Sequence, residues 1–223
     1  AAHYQTAIEL KPNSAEPHYN ARSALLTAGP LQATLSHFEK ATALRPDYLK
    51  ARCNLGTAHQ ALNHHPEAIA QFEIASSISP RFAPAHHGRG VSLMALGRAA
   101  EAVDSYRTSI ALEPEYSDAH HNLGMALLAQ GDPQAARRSF ERAIELSPRR
   151  ALFHRSLAEC KRFAADDPQL AAMQAMSENI GSLPESEQID LHAALGKALA
   201  DIGEHDDAFT HVIRANWLQR RQI

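Results

Sequence analysis

Residues 83–116, APAHHGRGVSLMALGRAAEAVDSYRTSIALEPEY, and residues 117–150, SDAHHNLGMALLAQGDPQAARRSFERAIELSPRR, lie end to end and superpose without a gap. Working outward, the same period covers residues 15–48 and 49–82, so that Pro46, Pro80, Pro114 and Pro148 are evenly spaced. Ahead of each proline stand an aromatic ring (Phe38, Phe72, Tyr106, Phe140) and a small residue (Ala41, Ala75, Ser109, Ala143). Self-similarity at a fixed period of this size marks an architecture of stacked supersecondary units.

Each recurrent position has a physical reason. Gly56, Gly90 and Gly124 occupy the eighth slot and Ala68, Ala102 and Ala136 the twentieth, where small residues let the two helices of a pair approach closely. Arg22 and Thr34 take those slots in the first copy and mark its loosest pair. The ring and the small residue after it lie one turn apart on the second helix and are expected to face the next unit. Proline lacks an N–H and biases its predecessor away from helical geometry, so it ends that helix. Gly29, Gly97 and Gly131, with Asn63-His64-His65 in the second copy, fall between the two helices as turn residues.

This pattern resembles the tetratricopeptide signature. The resemblance implies an all-α fold, a right-handed α-α superhelix of about six helix pairs preceded by one incomplete repeat. The expected units are residues 1–14 as a lone second helix with Tyr4, Ala7 and Pro12 in its ring, small and proline slots, then repeats at 15–48, 49–82, 83–116 and 117–150. Residues 151–188 read as a divergent pair with an insertion, in which a first helix runs from Ala151 to Phe163 and a shorter one reaches Ser177. The period returns at residues 189–223, with Val212 in place of the ring and an extended last helix. The chain thus starts and stops as if cut from a longer array.

Composition agrees with helices packed closely. The 223 residues are 44% hydrophobic but only 6% aromatic, and 21% are charged, a foldable balance rich in Ala and Leu. A net charge of −3 gives no reason to expect nucleic acid or an anionic membrane as partner. Cys53 and Cys160 stand far apart without metal-finger spacing, which fits a reducing, cytoplasmic setting. No leader pattern and no apolar run long enough to span a bilayer is found.

The last third carries a second resemblance. Leu157-Ala158-Glu159-Cys160-Lys161-Arg162-Phe163, Asp166-Asp167-Pro168 and Leu191-His192-Ala193-Ala194-Leu195-Gly196-Lys197-Ala198-Leu199 resemble the repeat-to-catalytic junction of bacterial tetratricopeptide-repeat sulfotransferases. Asp207-Ala208-Phe209 and Arg214-Ala215-Asn216, followed by Arg220-Arg221, fit the same pattern. The resemblance implies a sulfotransferase domain after Ile223 that uses 3′-phosphoadenylyl sulfate, while the present segment has no phosphate loop and no cofactor of its own.

Function is therefore expected in binding a protein or peptide. In a first helix the second, sixth, ninth and thirteenth slots share one face, which lines the concave groove of such arrays. The sixth slot reads Asn20, Asn54, Gly88 and Asn122, resembling the asparagine ladder of O-linked N-acetylglucosaminyltransferases. Carboxamides both donate to and accept from a peptide group, so they can clamp an extended backbone. Lys50 in the second slot adds a charge, and Tyr19, Cys53, His87 and His121 in the fifth are possible peptide contacts. The histidine pairs are read as packing residues rather than metal ligands, because equivalent atoms of successive first helices stand about 10 Å apart. No nucleophile-base arrangement is seen, so no catalytic residue is expected. A free-standing scaffold and a glycosyltransferase attachment remain alternative settings for the same module.

Overall fold

The computed structural model describes residues 31–221. Among them are eleven α-helices, one short 3₁₀ turn and no strand. The expected helix at residues 1–14, and the first helix of the first full repeat with Tyr19 and Asn20, lie outside the described residues.

The chain forms two compact units, divided after Pro114. In the first, α1 (Leu31–Leu44) precedes two hairpins, α2 (Leu49–Ala61) with α3 (His65–Ile78) and α4 (Ala83–Ala95) with α5 (Ala99–Leu112). In the second are α6 (Ser117–Ala129) with α7 (Pro133–Leu146), α8 (Ala151–Ala158) with α9 (Pro168–Ser177), and α10 (Glu185–Ile202) with α11 (His205–Arg220). Within each unit, neighbouring hairpins also touch, α3 against α4 in the first and α8 against both α7 and α10 in the second.

The turn inside a hairpin is built the same way at four sites. Asn63, Gly97, Gly131 and Gly203, all in the fifteenth slot, have φ of 59°, 73°, 81° and 89°. This left-handed residue lets the following N–H reach back, as His64 to the Ala-flanked carbonyl of His59 (2.9 Å), Arg98 to Leu93 (2.9 Å), Asp132 to Leu127 (3.0 Å) and Glu204 to Leu199 (3.0 Å). These are the six-to-one bonds of a Schellman stop, which satisfy carbonyls the ended helix would leave open.

Rings fill the space between the two helices of a pair. Phe72, Tyr106 and Phe140 are 2%, 1% and 0% exposed. A β-carbon on Gly56 would stand 2.8 Å from Phe72 Cζ, on Gly90 2.6 Å from Tyr106 Cε1, and on Gly124 2.5 Å from Phe140 Cε1. The eighth-slot glycine is thus a socket for the ring of its own hairpin, in addition to any close approach of the axes. In the last pair the relation survives without a ring, since a β-carbon on Gly196 would lie 2.8 Å from Val212 Cγ2.

The divergent pair differs from the helix expected at Ala151 to Phe163, because α8 ends at Ala158. Tertiary contacts outweigh the helix propensity of the next residues. Lys161 is 8% exposed, and its ammonium meets the Asp167 carboxylate at 2.6 Å, donates to Gln169 Oε1 and lies over the Phe163 ring. Phe163 is 4% exposed and its N–H donates to Asp201 Oδ2 at 3.1 Å. Asp167 in turn caps α9 by accepting from the N–H of Gln169 at 2.9 Å.

Candidate functional site

In the first unit, the face that bears the expected groove residues is carried by α2 and α4. Lys50 is exposed near the start of α2, and Asn54 is half-buried one turn on. The ladder cannot pass to Gly88: a β-carbon there would fall 2.4 Å from Phe72 Cζ. Phe72 therefore enforces the gap. The Gly88 carbonyl instead accepts from Gln60 Nε2 (2.8 Å), whose amide also donates to Ser92 Oγ (2.9 Å), so a carboxamide from the twelfth slot ties α2 to α4. His87 is half-buried with its ring centroid 5.7 Å from that of Tyr106. Beside Asn54, the Cys53 thiol is pushed up to about 11 by burial, which keeps it protonated and poorly nucleophilic at neutral pH.

In the second unit, the expected contact His121 sits in the seam between α6 and α8 rather than open to the groove. It is 8% exposed, stacks on Phe153 at 4.9 Å and tilts against Phe140 at 5.6 Å. Its Nδ1 lies 3.2 Å from Asn122 Oδ1 and its Nε2 2.9 Å from Ser156 Oγ. Because a carboxamide oxygen only accepts, Nδ1 carries the proton and Nε2 accepts from the Ser156 hydroxyl. Burial lowers the imidazole pKa, so the ring stays neutral. Half-buried Asn122 is thereby oriented by the residue before it.

Two histidines of the fourth slot, and the arginine in that slot of the second copy, have a different task. His86 Nε2 bonds the Pro80 carbonyl and His154 Nε2 the Pro148 carbonyl, each at 2.9 Å, and Arg52 Nε does the same to Pro46 at 3.0 Å. A ring or guanidinium N–H here spans the turn between hairpins and satisfies a turn carbonyl two residues past the end of the preceding helix. Among the described residues no group of three or more His, Cys, Asp or Glu side chains is placed to hold a metal ion.

Sequence reasoning missed a recess of the second unit that borders the expected groove face. Between α8 and α10 lies a depression of about 270 Å³ lined by Arg155, Ala158, Glu159, Ala193 and Lys197. Two alanines and three charged side chains line it. Arg155 is held by Asp190 at 2.8 Å and Lys197 by Asp201 at 2.5 Å. Counting from Ala151 and Ile189 puts Arg155 and Ala193 in the fifth slot, and Glu159 and Lys197 in the ninth. In the sequence the period restarts at Ile189, but only packing and turn slots are assigned there, not the groove face. Such a recess can accept a side chain of an extended segment while its charged lining offers charge-assisted bonds to carbonyl or carboxylate oxygens.

Comparison with known proteins follows the same lines. A family model described as tetratricopeptide repeat matches residues 53–120, 87–151 and 121–186. No curated protein sequence matches the chain. Among solved structures, MamA 41-end from Desulfovibrio magneticus RS-1 is similar at a TM-score of 0.60 and 15% identity over 93% of this chain and 96% of that one. YrrB, described as a TPR protein with an unusual peptide-binding site, is similar at a TM-score of 0.59 and 21% identity over 82% and 92%. At these identities the likeness is one of fold.

Proposed function

This chain belongs to the tetratricopeptide repeat family, and we propose that it is a protein-interaction module that captures an extended polypeptide segment on the faces of its first helices. The observation that carries the reading is the recess between α8 and α10, lined by fifth- and ninth-slot residues together with Ala158. In the first unit main-chain groups of a bound segment would meet Asn54, with Lys50 and His87 alongside; in the second they would meet Asn122, while the expected contacts Tyr19 and Asn20 lie outside the described residues. Affinity from backbone bonds and a few apolar contacts is modest and tolerant of sequence. The peptide-binding site named for YrrB supports the class of ligand without specifying its place here.

Selection of peptides from a random displayed library on the 223-residue chain, followed by calorimetry, tests the proposal. Binding that weakens in Ala193→Leu, with an unchanged thermal midpoint, is the expected result. Selected peptides that bind Ala193→Leu as well as the parent would remove the recess from the site.

A second reading concerns context. The segments Leu157 to Phe163 and Leu191 to Leu199 support placing this module before a cytoplasmic sulfotransferase domain that uses 3′-phosphoadenylyl sulfate. Sulfuryl transfer by the parent polypeptide, lost when the domain after residue 223 is removed, tests it. A free-standing scaffold, or attachment to a glycosyltransferase, are the outcomes it competes with.

A further inference from the structure

Helix α11 is buried along one side only. Ala208, Ala215 and Leu218 are 5%, 7% and 3% exposed and face the rest of the second unit, whereas Phe209, Ile213 and Trp217 are 65%, 51% and 44% exposed. At about 100° per residue, Asp206, Phe209, Ile213, Trp217 and Arg220 fall within one outer arc of roughly 80°, opposite the buried side. The slot of Phe209 holds buried Ile69 and Val103 in two other second helices, but apolar character at Ile213 and Trp217 is unusual. The slot of Ile213 holds Glu73, Arg107 and Glu141 elsewhere, and that of Trp217 holds Ser77, Ala111 and Glu145. Stacking of a further hairpin would bury the ring slot, here Val212; it does not account for apolar residues at these two outer positions.

The charges on this stripe are polarised. Asp206 lies in the first turn and Arg220 in the last, and neither has an ion-pair partner among the described residues. Fourteen residues of helix put them about 21 Å apart, too far to pair within one chain. Two other cations are already used: Arg214 and Arg221 stack over the Trp217 ring at 4.4 and 4.7 Å, and Arg221 also meets Glu185 at 3.8 Å.

We propose that the outer stripe of α11 is a self-complementary docking surface for a second copy of this chain, the two α11 helices packing antiparallel about a two-fold axis through Ile213. In that arrangement residues whose numbers sum to 426 lie opposite: Ile213 meets its own copy, Phe209 meets Trp217, and Asp206 meets Arg220 at both ends. An isologous contact needs such reciprocity, and an acidic start with a basic end supplies it only in the antiparallel sense. A helix of 16 residues is about 24 Å long, so the surface is at the small end for stable association, and the dimer dissociates in the micromolar range.

Sedimentation equilibrium of the 223-residue chain, from about 1 to about 100 μM, covers that range. The expected mass rises with concentration from 24.4 kDa towards twice that value. Ile213→Glu places two like charges on the axis and should weaken association at least about 100-fold while leaving the thermal midpoint at low concentration unchanged. Asp206→Arg should weaken it as well, and the double variant Asp206→Arg/Arg220→Asp should restore it, because each end again pairs opposite charges. A monomer throughout the range overturns the proposal. So does a dimer that Ile213→Glu leaves intact, or a double reversal that fails to recover association.

Discussion

Phe72 stands with its Cζ 2.4 Å from the point a β-carbon would occupy on Gly88, and 2.8 Å from the corresponding point on Gly56. One ring is thus seated in two glycines, the first on its own hairpin partner α2 and the second on the next first helix α4. The sixth slot of that repeat is closed to asparagine by packing. Gly88→Asn, which would extend the carboxamide ladder on paper, should therefore destabilise by about 1–3 kcal/mol through overpacking. Urea unfolding checks this, and a midpoint equal to the parent's would contradict the seating. Gly124→Leu against Phe140 should behave likewise.

Lys161 and Asp167 form an ion pair with side chains only 6% and 9% exposed. Asp167→Asn or Lys161→Met alone leaves the other charge buried and should cost about 3–5 kcal/mol. Replacing both with apolar residues should recover much of that loss. Chemical denaturation of the two single variants and the double variant measures the difference, and a double-variant loss equal to the sum of the two single losses would show that the pair is not coupled.

Asn54→Ala together with Asn122→Ala should leave helical content by circular dichroism intact and weaken capture of a selected peptide. Lys197→Glu should weaken the same peptide if its contacts reach the α8/α10 recess. Isothermal calorimetry separates the two faces, since a peptide bound only in the first unit would be indifferent to Lys197→Glu.

Acid should loosen the last hairpin. His192 Nδ1 and His211 Nδ1 lie 2.8 Å apart, one donating to the other, which requires the accepting ring to be neutral and cannot survive protonation of both. Burial first, then the neighbouring His211 and Arg214, lowers the His192 pKa from 6.5 to about 4, and burial lowers that of His211 against the pull of Asp207. A histidine with a depressed folded pKa binds protons more readily when unfolded. Its contribution is present above pH 6.5 and is lost as pH falls from there to about 4. His59, His121 and His154, whose pKa values are lowered mainly by burial, act in the same direction. Thermal midpoints should therefore drop steeply over that window, less so in His192→Gln. A flat profile would rule this out.

The prolines, rings and fifteenth-slot turn residues made the hairpins from α2 to α7 legible, because each marks a local backbone event or a packing socket at fixed spacing. Less could be read where long-range contacts decide. Glu159 to Phe163 have acceptable helix propensity, and only the burial of Lys161 and Phe163 explains why α8 stops early. His121 looked like a groove contact by slot number, yet Phe153, a ring in the third slot of the following pair, draws it into a seam. Arg155 and Lys197 were not legible as groove residues because the sixth slots of their pairs, Ser156 and Ala194, carry no asparagine to mark that face.

The bonds from Arg52, His86 and His154 to the carbonyls of Pro46, Pro80 and Pro148 each straddle the joint between consecutive hairpins. A gene segment cut at the proline would sever acceptor from donor, whereas a cut at the left-handed residue inside a hairpin would leave every such joint whole. Lengthening or shortening this protein by modules should accordingly succeed when the exchanged piece runs from one second helix through the following first helix, with its recombination points at Asn63, Gly97, Gly131 or Gly203.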